Sequence, residues 1–373
     1  MEQKKVTLKE IAEKTGVSMA TVHRAIYGKG GLSEGTRKKI MDEVERSNYQ
    51  LDEAASVLKR SARTVYVVLP KAQDEERFYF KDVWRGIRKE AQRLEPFKIY
   101  FKYIESEYPM SQISRELERV YDEDLDEMDG LITVGDSEES CIWINRFAKR
   151  GVYAVIVSSY SIMDDPHVST IKVNHKCCGR LAADFMKYGL CGKQGKILVF
   201  CGNNSIYSNH IYADAFETEM KKLGHEICRV EGFGRSEISE KAGRYLDQGD
   251  IDGVFICNAR NTYSVCRILE DRNTDKDVLV VGTDLYQELG RFFENGILDA
   301  VICQYQWEQG EVAVQKMQDY LSRGIRDQED EVISPVLLLK SNYACFLEEE
   351  ERWKHKRGAC GHPFCVGENL KGW

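Results

Sequence analysis

The stretch Val6–Ile26, "VTLKEIAEKTGVSMATVHRAI", decides the fold of the first part of the chain. Thr7 is followed three residues later by Glu10, which is the signature of a capping box at a helix start. Apolar residues then recur at helical spacing, stop at Gly16 and resume after Ser18, a favoured N-cap residue. Gly16 can adopt the positive φ that a tight turn between helices requires. The stretch therefore predicts two short helices joined by a sharp turn.

A third helix is predicted directly after these two. Ser33 is another favoured N-cap residue, and Ile40, Val44 and Tyr49 follow it as an inward apolar stripe. Three short helices with one sharp turn predict a helix-turn-helix unit, whose second helix enters the major groove of DNA.

The outward face of the second predicted helix carries candidate DNA contacts. Arg24 can bind guanine bidentately, while Met19 and Ala20 can touch a thymine methyl group. The predicted base contacts are Met19, Ala20, Thr21, His23 and Arg24. The predicted phosphate contacts, which fix register without reading sequence, are Thr7, Tyr27, Lys29 and Lys39. The alternative is an amphipathic helical hairpin whose charged side chains are only solvated.

Charge is divided unevenly along the 373 residues, whose formal net charge is -8. Residues 1–63 hold 13 Lys and Arg against 9 Asp and Glu, whereas the remainder holds 40 against 52. A basic head (residues 1–63) followed by an acidic body (the remainder) is expected when only the head binds a polyanion. Charged residues follow Met1 at once, apolar runs are short, and the 12 cysteines are scattered singly. We therefore expect a cytoplasmic protein with reduced thiols and without a membrane span.

The pattern changes after about residue 63, where short apolar strands alternate with helical stretches. The predicted strands are "TVYVVLP", "KIYFKYIE", "DGLITVG", "AVIVSSY", "STIKVN", "GKILVFCG", "HEICRVEGF", "GVFICN" and "VLVVGTD". Alternating strands and helices predict parallel sheets covered on both faces. So many units exceed one sheet, so we predict two Rossmann-like subdomains with ligands bound beyond the carboxyl ends of the strands.

The head resembles a known family. The segment Val6–Lys59, "VTLKEIAEKTGVSMATVHRAIYGKGGLSEGTRKKIMDEVERSNYQLDEAASVLK", looks like the DNA-binding segment of the lactose/galactose repressor (LacI/GalR) family. The resemblance implies that Met19 and Ala20 are the main base-reading pair and that Arg24 supports them. It also implies a hinge helix in "LDEAASVLK", from which Ala55 and Leu58 enter the minor groove. Leu58 would be the wedge that unstacks the central base step.

Three residues depart from the pattern of that family. His23 replaces a common serine, Leu51 stands where a proline often precedes the hinge helix, and Asp52 replaces the usual asparagine. Because Asp52 brings a negative charge near phosphates, we expect weaker hinge folding or weaker DNA affinity here.

The body resembles the effector domain of the same family, which is similar to periplasmic sugar-binding proteins. In "ERFYFKDVWRGI", paired aromatics precede a Gly-Ile helix and, by that resemblance, would stack on a sugar ring. "GTDLY" places an aspartate where the family binds hydroxyls, and "VICQYQWEQG" places a glutamine at the crossover between subdomains. The implied effector contacts here are Tyr79, Phe80, Asn258, Asp284, Gln304 and Trp307. The alternative is that Phe80 and Trp307 are core residues and that Asp284 caps a helix.

The body also departs from the family. Tyr212 stands where an arginine is usual, with His210 close by, and Ser159 and Tyr160 replace an acidic-basic pair. These four residues complete the predicted effector contacts. Because two charged contacts are missing, the ligand could be a less usual polyol, an inositol or a different small molecule.

The sequence also bounds the domains and the class of function. We predict a helix-turn-helix domain at 1–49, a hinge and linker at 50–63, an effector-binding and dimerisation domain at 64–347, and a disordered tail at 348–373. Within the effector domain, the first subdomain is predicted at about 64–165 and 304–331, and the second at about 166–303 and 332–347.

The resulting functional prediction is a repressor that binds a pseudo-palindromic DNA operator as a homodimer, under the control of a sugar or polyol. The alternatives are a cytoplasmic solute-binding protein and a regulator that senses a non-sugar metabolite. We expect no enzymatic activity, cofactor or metal site, because no G-x-G-x-x-G, complete P-loop, G-x-S-x-G or H-E-x-x-H occurs in a fitting context.

Overall fold

A computed structural model describes residues 6–26, 31–47, 61–107, 112–135, 137–157, 165–202, 207–232, 234–247, 250–272, 278–326 and 331–347. The chain divides into two compact units. The first unit comprises Met1–Asn174, Ser205–Ser208 and Tyr305–Ile333, and the second unit comprises His175–Asn204, Asn209–Gln304 and Ser334–Trp373. In the part of the chain that the structure describes, no helix has both the length and the apolar character needed to cross a lipid bilayer.

The head contains the three predicted helices, α1 (Leu8–Thr15), α2 (Met19–Ile26) and α3 (Glu34–Arg46). Their shared core consists of Ile11, Ala12, Val22, Ala25 and Ile40. Each of these side chains comes from the apolar stripe that the helical spacing predicts, so burial of one face of each helix holds the unit together. Tyr49, the last residue of the predicted stripe, lies outside the described residues.

The first unit contains a six-stranded sheet in the order β11-β5-β4-β3-β1-β2. Its strands are β1 (Arg63–Pro70), β2 (Ile99–Ser106), β3 (Gly130–Thr133), β4 (Tyr153–Val157), β5 (Val168–Val173) and β11 (Glu331–Ile333). Every pairing is parallel. The helices of this unit are α4 (Arg77–Gln92), α5 (Ser114–Asp124), α6 (Glu138–Lys149) and α12 (Gln306–Arg323). Strands β1, β3 and β4 are almost wholly buried, as their continuous apolar runs predict for parallel strands covered on both faces.

The second unit contains another six-stranded sheet, in the order β12-β10-β9-β8-β6-β7. Its strands are β6 (Lys196–Gly202), β7 (Glu226–Glu231), β8 (Ile251–Ile256), β9 (Leu279–Thr283), β10 (Ala300–Cys303) and β12 (Val336–Leu339). Only β12 pairs in antiparallel fashion among these described strands. Its helices are α7 (His175–Gly189), α8 (Tyr207–Lys222), α9 (Arg235–Leu246), α10 (Ala259–Asp271) and α11 (Gly290–Glu294).

The boundaries between the two subdomains differ from the predicted ones. The sequence analysis assigns residues 166–174 and 332–333 to the second subdomain, but β5 pairs with β4 and β11 in the sheet of the first unit. The amide of Asn174 also donates to the Ile333 carbonyl at 3.2 Å. The chain therefore crosses between the units at the end of β5, after its hydrogen bonds are complete, rather than in the loop before it. Gln304, predicted in the first subdomain, belongs to the second unit.

The start of α4 is a second correction. The resemblance predicts that Tyr79 and Phe80 precede the Gly-Ile helix. In the structure the helix already begins at Arg77, so both aromatics lie in its first turn. Phe78, Phe80, Val83, Trp84 and Ile87 are buried at helical spacing, and this apolar stripe extends the helix toward its amino end.

Candidate functional site

The turn between α1 and α2 is fixed by local hydrogen bonds. The Thr7 amide donates to Glu10 Oε2 at 2.7 Å, and the Glu10 amide donates to Thr7 Oγ1 at 3.3 Å, which completes the predicted capping box. Gly16 ends α1 with φ of 69°, a left-handed conformation that glycine adopts without a Cβ clash. The Thr21 amide donates to Ser18 Oγ at 3.1 Å, as expected of an N-cap. The relative direction of the two helices is therefore set by residues within this stretch.

The exposed face of α2 is the candidate DNA-reading surface. Val22 and Ala25 are 0% and 3% exposed and anchor the helix, whereas Met19 is 54% exposed. Ala20 and Arg24 are also exposed, and Arg24 forms no ion pair with any described residue. An exposed methionine and a guanidinium on a helix held by its opposite face form a surface that can meet base edges.

The other predicted DNA contacts either take part in helix caps, lie on another helix or fall outside the described residues. The Thr21 hydroxyl lies 2.8 Å from Ser18 Oγ, and the Thr7 hydroxyl belongs to the capping box. Both side chains are thus engaged in helix starts. Lys39 is exposed on α3. Tyr27, Lys29, Ala55 and Leu58 lie outside the described residues, as does the side chain of His23, so their assigned roles stay predictions.

Asp284 and Gln304 form the centre of a polar group at the strand ends of the second unit. β9 and β10 are parallel neighbours, so the residues that follow them meet at one edge of the sheet. Gln304 Nε2 donates to both oxygens of Asp284, at 2.8 Å and 3.0 Å, and Asp284 is 0% exposed. The alternative that Asp284 caps a helix is wrong, because the next helical turn, Gln287–Leu289, begins after Tyr286.

The backbone of Asp284 is held in an uncommon conformation. Its φ is 68°, in the left-handed region, and its amide donates to the Ile302 carbonyl at 2.8 Å. A non-glycine residue in this region costs of order 1–3 kcal/mol unless its surroundings determine it, and such residues concentrate at functional sites. A buried carboxylate also carries a large desolvation cost and needs hydrogen-bond donors. Both features indicate that the carboxylate at this position serves more than packing.

Asn258 and Asn261 lie beside this pair at the start of α10. Asn258 Oδ1 accepts from the Asn261 amide at 3.0 Å, and Asn261 Nδ2 donates to the Gly232 carbonyl at 3.0 Å. Thr262 Oγ1 donates to the Thr283 carbonyl at 3.0 Å, which ties this first turn to the end of β9. Asn258 Nδ2 and Asn261 Oδ1 are buried and have no hydrogen-bond partner among the described residues. Buried amide atoms without partners are uncommon, and here they offer one donor and one acceptor at the strand ends.

His175 and Tyr212 form the neighbouring part of the same edge. Their rings are 5.2 Å apart, and the two side chains are 5% and 2% exposed. Burial lowers the pKa of His175 to about 4, so the imidazole is neutral near pH 7. Burial raises the pKa of the nearby Cys178 thiol, a hydrogen bond from Tyr212 opposes the rise, and the charge of Asp284 adds to it. Cys178 is therefore close to both Tyr212 and Asp284.

Three buried residues of this edge were not singled out by the sequence analysis. They are His175, Asn209 and Asn261. Asn209 and Tyr212 are one helical turn apart on α8, as Asn258 and Asn261 are at the start of α10. Helical spacing from the predicted residues was the signal that could have identified two of them. His210, by contrast, is only half-buried.

The predicted aromatic residues of the first unit have mixed surroundings. Tyr79 is half-buried, and its hydroxyl donates to Gln309 Oε1 at 3.0 Å. Phe80 is 1% exposed, which favours the alternative that it is a core residue. The Trp307 ring lies 4.9 Å from the Arg85 guanidinium and 4.8 Å from Lys89 Nζ, so it packs α12 against α4. Ser159 and Tyr160 lie outside the described residues.

Two family models match the chain. Residues 7–52 match the model for bacterial regulatory proteins of the lacI family, and residues 66–325 match a periplasmic binding protein domain. The Ribose operon repressor of Bacillus subtilis (strain 168) is 30% identical over 293 residues, which is 77% of this chain and 84% of that protein. Catabolite control protein A of Streptococcus mutans is 35% identical over 83 residues, 22% of this chain. That match spans only 24% of the relative, about a quarter of its length.

The fold is also similar to solved structures. A glucose-galactose binding protein from Geobacillus stearothermophilus, GanP, gives a TM-score of 0.65 at 19% identity, covering 76% of this chain and 99% of that one. At this identity the likeness concerns the fold alone. Together with the two parallel sheets and the three-helix head, it confirms the fold class predicted from the sequence.

Proposed function

Because the chain belongs to the lacI family of bacterial regulatory proteins, we propose that it is a DNA-binding transcriptional repressor controlled by a small ligand. The observation that carries the proposal is the geometry of α2. Val22 and Ala25 bury one face of this helix, and Met19, Ala20 and Arg24 stand exposed on the other. Such a helix enters the major groove and reads base edges.

The repressor binds DNA as a homodimer on a pseudo-palindromic operator. One head presents only a few side chains to the bases, so two heads are needed to distinguish an operator from competing genomic sites. The basic head also suits this role, because contacts to phosphates supply much of the affinity. In this proposal the protein works in the cytoplasm, where its DNA lies, and catalyses no reaction.

The ligand is a small sugar or polyol that contacts the strand ends of the second unit. Asp284, fixed by Gln304, accepts hydrogen bonds from ligand hydroxyls, and the buried Asn258 amide donates to them. The name of the Bacillus subtilis relative, a ribose operon repressor, supports a sugar. The ligand changes DNA affinity to the extent that it binds DNA-competent and DNA-incompetent conformations differently.

Selection of bound duplexes from a random pool tests this function. The full chain, at a stated salt concentration, should enrich a pseudo-palindromic site and bind it at least about a thousandfold more tightly than random duplex. A variant with Met19→Ala and Arg24→Ala together serves as the control and should enrich no such site. If the unaltered chain enriches no sequence, the DNA-binding function is wrong. If it enriches one but no sugar or polyol changes its affinity, the ligand part alone is wrong.

A further inference from the structure

His175 is a buried polar residue that the packing of the second unit does not account for. It is 5% exposed at the start of α7, and its Nδ1 atom is buried and has no hydrogen-bond partner among the described residues. A buried polar atom without a partner costs stability, and such atoms in a folded protein call for an explanation.

The first turn of α7 brings His175 to the same part of the unit as Asp284. Cys178 lies one helical turn after His175 on α7 and is close to both Tyr212 and Asp284. A Cβ on Gly179 would lie 2.5 Å from the Tyr212 carbonyl oxygen, so glycine here allows α7 and α8 to cross closely. That crossing brings the His175 and Tyr212 rings within 5.2 Å of each other.

Asn209 contributes a second polar atom of the same kind. It is 6% exposed, lies one turn before Tyr212 on α8, and its Nδ2 atom is buried with no partner among the described residues. Asn258 Nδ2 and Asn261 Oδ1, at the start of α10, are likewise buried with no partner among the described residues. The amino ends of three helices, α7, α8 and α10, thus carry four such atoms, and α7 also brings Cys178 close to the carboxylate of Asp284. None of these four residues is a cation at neutral pH.

We propose that His175 and Asn209 are ligand-contacting residues that determine specificity, and that they select an uncharged, hydroxyl-rich ligand over its phosphorylated counterpart. This inference rests on the proposed function and names residues and a ligand charge for the same site. A hydroxyl donates and accepts hydrogen bonds at once, so it can satisfy both the imidazole Nδ1 and the amide of Asn209. Among the described residues of the second unit no lysine or arginine is buried, so a phosphate group would have no buried cation there to pair with, and it would approach the carboxylate of Asp284.

A ligand contact and a purely structural role predict different effects when His175 is replaced. If His175 served only to hold the unit together, replacing it would lower the melting temperature. If its Nδ1 is kept for a ligand, His175→Phe removes an unsatisfied buried group and keeps a ring of similar shape. That variant should therefore match or exceed the unaltered protein in melting temperature without ligand, while binding ligand about tenfold or more weakly.

The experiment uses the full chain and six defined probes: D-ribose, D-glucose, myo-inositol and a monophosphate of each. Binding is measured by calorimetry and melting temperature by circular dichroism. At least one uncharged probe should bind, and more tightly than its phosphate. His175→Phe and Asn209→Leu should each weaken that binding about tenfold or more, and His175→Asn, which keeps a polar atom near the Nδ1 position, should recover part of it. His225→Phe is the matched control, because His225 is 8% exposed in the same unit and its Nδ1 accepts from the Gly195 amide, away from Asp284.

Three results would overturn the inference: no uncharged probe binds, a phosphorylated probe binds more tightly, or His175→Phe keeps full affinity. Operator binding measured on the same samples separates these failures from failure of the proposed function. A chain that still selects its operator but binds no uncharged probe remains a repressor with a different ligand.

Discussion

In the head, Met19, Ala20 and Arg24 are exposed on one face of a helix whose other face contributes to the core. At the strand ends of the second unit, the residues assigned to a ligand are themselves buried and bonded to one another. Met19 at 54% exposure and Asp284 at 0% represent the two cases. The head therefore separates recognition from stability, because side chains on opposite faces of a helix perform the two tasks. At the strand ends the carboxylate of Asp284 and the amide of Gln304 are buried and hydrogen-bonded to each other, so a change in this pair affects packing as well as any ligand contact.

The largest effect is expected at Asp284. Asp284→Asn keeps the shape of the side chain and tolerates the positive φ, but it removes the charge that makes hydrogen bonds strong. We expect ligand affinity to fall at least about a hundredfold, roughly 3 kcal/mol, with operator affinity in the absence of ligand unchanged. Calorimetry and a gel-shift titration measure the two quantities.

The control for this change is Asp271→Asn, which alters an exposed carboxylate of the same unit. Ligand binding by the control should equal that of the unaltered chain. Full ligand affinity in Asp284→Asn would remove the strand-end carboxylate from the binding site.

A smaller effect, a loss of DNA affinity limited to one operator base pair, is expected at Arg24. Because Arg24 is exposed and forms no ion pair with a described residue, Arg24→Ala should leave the melting temperature of the protein unchanged. It should cost about 1–3 kcal/mol at one operator base pair and relax the choice of base there. Competition binding with operators substituted at single positions measures this loss.

Lys39 offers the contrast within the same head. As a phosphate contact, Lys39→Ala should weaken binding to all duplexes about equally and reduce the dependence of affinity on salt. A uniform loss in Arg24→Ala as well would mean that Arg24 contacts phosphate rather than a base.

The smallest effect is expected at the helix start that positions the reading helix. Thr7→Ala removes the hydroxyl that accepts from the Glu10 amide, which should destabilise α1 by about 1 kcal/mol. Amide hydrogen exchange in α1 should accelerate about fivefold, and base preference should stay the same. Glu13→Ala, on the exposed side of α1, should change exchange little, since its pairing with Lys9 is solvent-exposed. A change in base preference in Thr7→Ala would show that stability and recognition are coupled in the head after all.

The sequence predicted the structure of the head more completely than that of the two sheets. For the head, the capping box, the turn glycine and the buried stripe all lie within a few residues of each other, so local spacing was enough to place them. For the sheets, the continuous apolar runs identified the strands, but the assignment of β5 was wrong. Whether a strand joins the sheet before or after a crossover depends on hydrogen bonds with β4 and β11, which are distant in sequence.

The same reason separates the predicted site residues from the missed ones. Asp284 and Gln304 follow neighbouring strands and are joined by hydrogen bonds, while their contact with a ligand stays a prediction. His175 begins a helix in a stretch with no recognisable motif, and its proposed role follows from the contact of its ring with Tyr212 on another helix. Phe80 shows the opposite case, in which an aromatic at the expected position is buried in the core.

The sequence by itself determined the helix-turn-helix, the alternation of strands and helices, and the family to which the chain belongs. These depend on periodicity and spacing over short distances, and the polypeptide geometry of helices and strands is the same in every protein. Only the tertiary structure decided which strand ends meet, where the chain passes between the units, and which buried polar atoms have no partner. Those properties depend on contacts between residues far apart in the chain, and a linear pattern does not encode the distances between them.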